Sequence, residues 1–149
     1  MPDARAGIQR LEVLIGEWTM EATFPGAGPV GGGHAVFEWI LDGQYVQQRT
    51  SVPHPDAPDC VMVIGVDRAG GGYIQHYFDS RGVTRVYAMT LGDQGWTLVR
   101  DASDFSPLDF SQRFSSTFSE DRRTIDGHWE TRSGSSDWRR DFGLTYRRV

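Results

Sequence analysis

The first sixteen residues carry apolar side chains at helical intervals of three or four positions. The apolar residues are Ile8, Leu11, Leu14 and Ile15. This spacing places them on one face of an α-helix. Asp3 precedes them as a candidate N-cap, and Gly16 follows them as a stop signal. The segment 3–16 is therefore predicted to form a short amphipathic helix.

After Gly16 the apolar and polar residues alternate with a period of about two, which is the spacing of half-buried β-strands. Turn-forming residues interrupt this alternation roughly every eight to twelve positions, as is typical of an all-β sandwich or barrel. Ten strands are predicted, over residues 17–24, 33–41, 44–52, 60–67, 73–79, 83–91, 96–101, 109–119, 124–131 and 137–147.

Most of the predicted connections are short and rich in turn residues, such as Asp42-Gly43 and Asp79-Ser-Arg-Gly82. Short connections join antiparallel neighbours, and closing such a meander removes its two exposed edges. The fold class is therefore predicted to be all-β, an antiparallel up-and-down barrel in one domain over residues 1–149, with the helix plugging one end. The longer irregular stretches are 25–32, 53–59 and 102–108, and we expect them around the barrel mouth.

Composition narrows the classes of partner. The formal net charge is -5, and all 15 basic residues are arginine. Nucleic-acid binding depends on basic surfaces, so DNA and RNA are not expected partners. No apolar run or signal-like segment is present to suggest a membrane, and we expect a cytoplasmic protein. The sequence leaves the oligomeric state open, including a homodimer.

Metal and cofactor chemistry finds little support in the sequence. His34, His54, His76 and His128 are scattered without metal-ligand spacing. The stretch 26–31 matches G-x-G-x-x-G, but a strand pattern follows it where a dinucleotide fold requires a helix. The single cysteine, Cys60, is interpreted as a reduced, mostly buried thiol. No metal and no cofactor are therefore predicted.

Six motifs carry a resemblance to a known family. They are LIGEW (14–18), FEWILDGQYV (37–46), HYFDSRGVTRVY (76–87), FSQRF (110–114), TIDGHWE (124–130) and DFGLTYRR (141–148). The chain resembles a group of small, mostly actinobacterial proteins that share a domain of unknown function. The resemblance implies a calycin-like barrel, related in shape to lipocalins, fatty-acid-binding proteins and nitrobindin.

The resemblance to nitrobindin implies haem binding through a histidine on the last strand. The last predicted strand here has no histidine, and the nearest one in sequence is His128 on the preceding strand. Haem would therefore require a different axial ligand. Arg85-Val-Tyr87 resembles the arginine and tyrosine with which fatty-acid-binding proteins hold a carboxylate.

The hairpin at 73–89 can present either of two faces to the interior. One face carries Tyr73, Gln75, Tyr77, Arg85, Tyr87 and Met89, and the other carries Ile74, His76, Phe78, Thr84, Val86 and Ala88. A mixed face of rings, amide and guanidinium suits a cavity for an amphipathic ligand, so the tyrosine face is favoured. If the opposite face is inside, His76 becomes the polar interior group.

The leading hypothesis is a barrel that binds a small apolar or amphipathic ligand, with an anionic group as one version. The predicted ligand-binding residues are Trp39, Arg49, Gln75, Tyr77, Arg85, Tyr87, Arg100, Gln112 and Arg113. The alternative is a cofactor-free cyclase, isomerase or hydratase of specialised metabolism that uses the same cavity. Its acid-base candidates are His76, Glu38, Asp101 and Tyr87. Haem binding is a third hypothesis.

Overall fold

The computed structural model describes residues 4–53 and 57–149 and begins with the predicted helix. The helix α1 spans Ala4–Arg10, and a 3-10 turn over Leu11–Leu14 continues it. Leu11 and Leu14 are fully buried, so the apolar stripe faces the protein core as the spacing predicts. The N-cap candidate Asp3 lies outside the described residues. Within the described residues, no helix is long and apolar enough to cross a bilayer.

Ten antiparallel strands form a closed barrel, which confirms the predicted fold class. The strands are β1 Gly16–Thr23, β2 Pro29–Ile40, β3 Tyr45–Ser51, β4 Cys60–Val66, β5 Tyr73–Asp79, β6 Thr84–Leu91, β7 Trp96–Arg100, β8 Ser111–Phe118, β9 Thr124–Arg132 and β10 Arg139–Arg148. Each strand pairs with its neighbours in sequence, and β1 pairs with β10 to close the barrel.

The second strand starts earlier than predicted. Residues 29–32 were expected to be loop because they are rich in glycine and proline, but β2 begins at Pro29. Val30 pairs with Ala22 of β1, beyond a register shift between Met20 and Ala22. Pairing with β1 therefore extends the strand where local propensity alone indicates a loop.

The helix closes one end of the barrel, as predicted. Trp18 donates its indole N–H to the carbonyl of Leu14 at 2.9 Å. Arg148 lies over the Trp18 ring at 4.2 Å, and its guanidinium donates to the carbonyls of Ile15 and Val13 at 2.6 and 2.7 Å. These bonds satisfy carbonyls that the short helical segment leaves free.

Aromatic rings fill the interior on the helix side. The Trp96 ring lies 6.0 Å from Phe37, 5.2 Å from Phe114 and 5.9 Å from Tyr146. Gly127 makes room for this cluster, since a Cβ there would lie 2.6 Å from the Phe114 ring. This half of the barrel is therefore a packed core, and the free interior space lies toward the opposite end.

Candidate functional site

The hairpin of β5 and β6 presents its tyrosine face to the interior. Tyr77 pairs with Arg85 and Gln75 with Tyr87, in the register predicted from the turn. Gly82 has a φ of 81°, a left-handed conformation that glycine adopts without a steric cost. Gln75 and Tyr87 are buried, whereas His76 on the other face is exposed. The favoured orientation of the hairpin is confirmed.

The interior contains a partly open cavity of about 190 Å³. Its lining is mostly apolar and aromatic: Met20, Gln48, Thr50, Cys60, Met62, Gln75, Tyr77, Arg85, Tyr87, Trp96, Leu98, Gln112, Phe114, Trp129, Phe142, Leu144 and Tyr146. The connections that follow β1, β3, β5, β7 and β9 lie at the barrel end opposite the helix, which we call the mouth. The three long irregular stretches belong to these connections, although residues 54–56 lie outside the described residues.

Three polar side chains meet on the mouth side of the cavity. The amide oxygen of Gln112 accepts a hydrogen bond from the Tyr87 hydroxyl at 2.8 Å and one from Arg85 Nη1 at 3.4 Å. The Arg85 guanidinium also lies 5.9 Å from the centre of the Phe110 ring. Burial raises the pKa of Tyr87 although Arg85 opposes the change, so this hydroxyl stays protonated. Among the described residues that line the cavity there is no carboxylate.

Asp79 organises the rim next to this group. Its carboxylate accepts hydrogen bonds from the Tyr77 hydroxyl at 2.8 Å and from Arg81 Nη2 at 2.6 Å. Burial alone would raise the pKa of Asp79, but the bonds from Arg81 and Tyr77 outweigh it and lower the pKa to about 2. Arg81 is half-exposed at the rim. Asp79 and Arg81 therefore neutralise each other and fix the turn.

A second polar set, which we call the inner polar group, consists of Gln48, Gln75 and Trp96. Each of these side chains is at most 2% exposed and lines the cavity. The Gln48 amide donates to Thr50 at 3.2 Å and to the Tyr146 hydroxyl at 3.5 Å. The Gln48 and Gln75 amide oxygens and the Trp96 indole N–H have no hydrogen-bond partner among the described residues.

Sequence reasoning missed several of the lining residues. Gln48 was not singled out, although it alternates with Val46 and Thr50 on the inward face of β3. The sequence analysis also does not single out the aromatic residues Trp96, Phe114, Phe142 and Tyr146 as walls. Strand alternation was the available signal for all of them.

Arg49 and Arg113, both predicted to be ligand-binding residues, point away from the interior. Arg49 pairs with Glu38 on the outer surface at 3.2 Å. Arg113 pairs with Glu130 at 2.9 Å and lies 4.4 Å from the centre of the Trp138 ring. Each alternates with inward neighbours along its strand, so the predicted cavity positions are wrong.

Arg100 is buried, but its guanidinium is already paired with other groups of the protein. Its guanidinium makes two hydrogen bonds to Asp104 at 2.7 and 2.8 Å, and one to the carbonyl of Ser106 at 3.0 Å. The bond from Arg100 lowers the pKa of Asp104 well below its usual range, against the effect of burial. The pair holds the connection between β7 and β8 over the mouth, and Arg100 does not line the cavity. Its predicted role as an anchor is corrected accordingly.

Trp39, predicted as a cavity wall, lies at the helix end of the barrel. Its indole N–H donates to Glu12 at 3.2 Å, and the side chain packs against the core from outside the cavity. Trp39 lies next to the last residue of β2, where the strand reaches the helical segment. The prediction that Trp39 lines the cavity is therefore wrong.

The acid-base candidates other than Tyr87 also lie outside the cavity. His76 is exposed on the outer face of β5, and Glu38 is held by Arg49 on the outer surface. Asp101 is exposed at the mouth, where it bonds with Ser111 and Arg132. None of these three side chains lines the cavity, so their predicted position there is corrected.

Cys60 lines the cavity, and burial raises the pKa of its thiol from 9.0 to about 11. The thiol is therefore a small apolar wall group at neutral pH. The described histidines, His34, His76 and His128, lie on outward positions of their strands. His54 lies outside the described residues. In the described part of the chain, no three His, Cys, Asp or Glu side chains come together as a metal site.

These features define a closed ten-stranded antiparallel β-barrel with an internal, largely aromatic cavity. The chain is similar to the crystal structure of Rv2717c from M. tuberculosis, with a TM-score of 0.63, 17% sequence identity and 99% of each chain covered. At this identity the similarity shows the fold alone, and it fits a family of bacterial barrels. No family model and no curated protein matches the chain.

Proposed function

We propose that this barrel, of the calycin-like type that its motifs resemble, binds a small and largely apolar molecule with an anionic group. The observation that carries the proposal is Arg85, a cation at the cavity wall with no carboxylate beside it in the described part of the lining. Its Nε atom is buried and has no partner among the described residues. A carboxylate would supply the missing acceptor and the missing charge.

The surroundings of Arg85 support a carboxylate in particular. A guanidinium offers parallel N–H donors that match the two oxygens of a carboxylate. Gln112 accepts from Arg85 on one side and from Tyr87 on the other, which holds both side chains in place. A largely apolar and aromatic lining screens charges less than bulk water does, so a charge-assisted bond there is stronger than at the surface.

The volume of the cavity suits a molecule of about one ring. An apolar cavity of about 150 Å³ in another protein holds benzene. The cavity here measures about 190 Å³, which leaves room for a ring and one or two small substituents. Trp96, Phe114 and Trp129 supply flat faces for such a ring, with the Phe114 and Trp129 centres 5.2 Å apart.

Isothermal titration with benzoate and with the neutral benzyl alcohol tests the proposal. Wild type should bind benzoate more tightly, and Arg85→Leu should weaken benzoate binding about thirtyfold or more, which corresponds to about 2 kcal/mol or more. Arg49→Leu is the matched control, because the same change on the outer face removes a charge without touching the cavity. Met62→Leu controls for a conservative change of the wall.

Equal losses of benzoate affinity in Arg85→Leu and Met62→Leu would exclude Arg85 as the anchor. Mass spectrometry of molecules that copurify with the natively folded protein provides an independent check. An anionic compound of about one ring is expected, and it should be absent from the Arg85→Leu preparation.

A further inference from the structure

The inner polar group gives the cavity a second recognition element. The amide oxygens of Gln48 and Gln75 and the indole N–H of Trp96 are two acceptors and one donor, all buried and without a partner among the described residues. Buried polar groups in folded proteins are nearly always hydrogen-bonded. Three unpartnered groups around one cavity therefore indicate a polar group that belongs there.

The inner polar group and Arg85 lie on different sides of the cavity. Trp96 and Gln48 both contact Tyr146, and Tyr146 in turn contacts Trp18 beneath the helix. Gln75 is one inward position from Tyr73, whose hydroxyl donates to Gly7 of the helix at 2.7 Å. Arg85, in contrast, is one residue from the mouth end of β6. The space between them is lined mainly by apolar and aromatic side chains.

The chemistry of the inner polar group selects a neutral hydroxyl. Two amide oxygens repel a second anion, and none of the three side chains carries a positive charge to compensate for one. A hydroxyl can donate to a glutamine oxygen and accept from the Trp96 N–H at the same time. An amide also presents both a donor and an acceptor, so either glutamine can adjust to the hydroxyl by rotation.

We infer that the ligand has two polar ends: a carboxylate at Arg85 and a hydroxyl at the inner polar group, separated by a ring or a ring-sized apolar body. Small hydroxylated aromatic carboxylates are the class that fits. The inference rests on the proposed function, because it uses the same cavity and the same Arg85 anchor. It adds the selection of a hydroxylated ligand over an apolar ligand of equal size.

Paired probes test the selection in the wild-type protein. The affinities of 3- and 4-hydroxybenzoate are compared by titration calorimetry with those of 3- and 4-methylbenzoate, which match them closely in size. In at least one pair, the hydroxyl compound should bind about tenfold or more tightly, because the methyl compound leaves the buried amides unpartnered.

Two variants then test whether the inner polar group causes the preference for the hydroxyl compound. Gln75→Leu and Gln48→Leu should each reduce the preference for the hydroxyl compound several-fold. Gln47→Leu is the matched control, since Gln47 adjoins Gln48 but faces outward and bonds to Glu38, and it should keep the wild-type preference. Arg85→Leu should weaken all four probes. The wild-type comparison requires no variant, so it decides the inference even if a variant does not fold.

The possible outcomes separate this inference from the proposed function. Equal affinities within both pairs, together with dependence on Arg85, would overturn the hydroxyl selection and leave the proposed function standing. A preference that survives in both glutamine variants would overturn the assignment to the inner polar group. Failure of wild type to bind any of the four probes, or benzoate, would overturn both.

Discussion

Replacing Gln75 by leucine is expected to make the protein more stable in the absence of added ligand. Gln75 is 2% exposed, and its amide oxygen has no partner among the described residues. A buried polar atom without a partner costs about 1–3 kcal/mol. Leucine has a similar size, carries no polar atom and loses less rotamer freedom when buried. The free energy of unfolding should therefore rise by about 1–3 kcal/mol.

Urea denaturation of wild type and Gln75→Leu, followed by circular dichroism, measures this difference. Each kcal/mol should also move the Tm by about 2–4 °C in a protein of this size. Gln47→Leu provides the comparison, because Gln47 is only partly buried and its amide already bonds to Glu38 at 3.4 Å. Its free energy of unfolding should stay within about 0.5 kcal/mol of wild type.

A destabilisation of more than about 1 kcal/mol in Gln75→Leu would refute this reasoning. It would mean that the Gln75 amide has a partner in the folded protein, such as an ordered water in the cavity. The comparison also links stability to recognition: a gain in stability shows that the amide is retained at a cost to the fold. Such costs are typical of binding sites.

Three further predictions concern the mouth and the thiol. Asp104→Ala should lower the free energy of unfolding by about 3–5 kcal/mol in urea denaturation, because it leaves the buried Arg100 charge uncompensated. The pKa of Asp79 falls from 3.8 to about 2 on folding. The stabilisation that its carboxylate provides is therefore complete above the unfolded pKa and is lost as the pH falls toward 2. The Tm of Asp79→Asn should be lower than that of wild type at pH 7, and the two Tm values should converge near pH 2. Burial raises the pKa of Cys60 to about 11, so at pH 8 its thiol should react with a disulfide reagent about a hundredfold more slowly than free cysteine. Unfolding the protein in urea should remove this difference in rate.

Each of these three predictions would be contradicted by a specific experimental result. For the ion pair, the exposed Asp93→Ala is the control, and equal losses in both variants would mean that the Arg100 pair adds nothing. For the acid titration, a constant Tm difference between wild type and Asp79→Asn from pH 7 to pH 2 would contradict the lowered pKa. For the thiol, rapid reaction of Cys60 in the folded protein would show that it is neither buried nor protonated.

The hairpin shows how far the sequence predicts the site. The turn residues from Asp79 to Gly82 fix the register, and the register then assigns every side chain of β5 and β6 to one of two faces. That much was predicted correctly. Which face is inside depends on the other eight strands, because both faces contain enough apolar groups to pack. The residue types on the two faces favoured the tyrosine face, but they did not exclude the other one.

The neighbouring glutamines and arginine of β3 show where such prediction fails. Gln47, Gln48 and Arg49 are consecutive polar residues, so alternation gives two equally polar choices. The apolar partners on β2 and β4 place Gln48 inside, beside Met62, and leave Arg49 outside. Arg100 was predicted to bind a ligand, but it pairs with Asp104, which comes from an irregular connection whose path no periodicity predicts.

The pairing of β1 with β10 has a consequence for how the cavity comes into being. The other nine pairings join strands that are consecutive in the chain, so they form over short loops at low entropic cost, whereas the pairing of β1 and β10 must wait for the whole chain. Met20 of β1 and Phe142, Leu144 and Tyr146 of β10 line the cavity on the two sides of this last pairing. A bound ligand therefore stabilises the closed barrel relative to any form in which β1 and β10 are not paired. Ligand binding should slow amide hydrogen exchange along β1 and β10, although the ligand also contacts other strands.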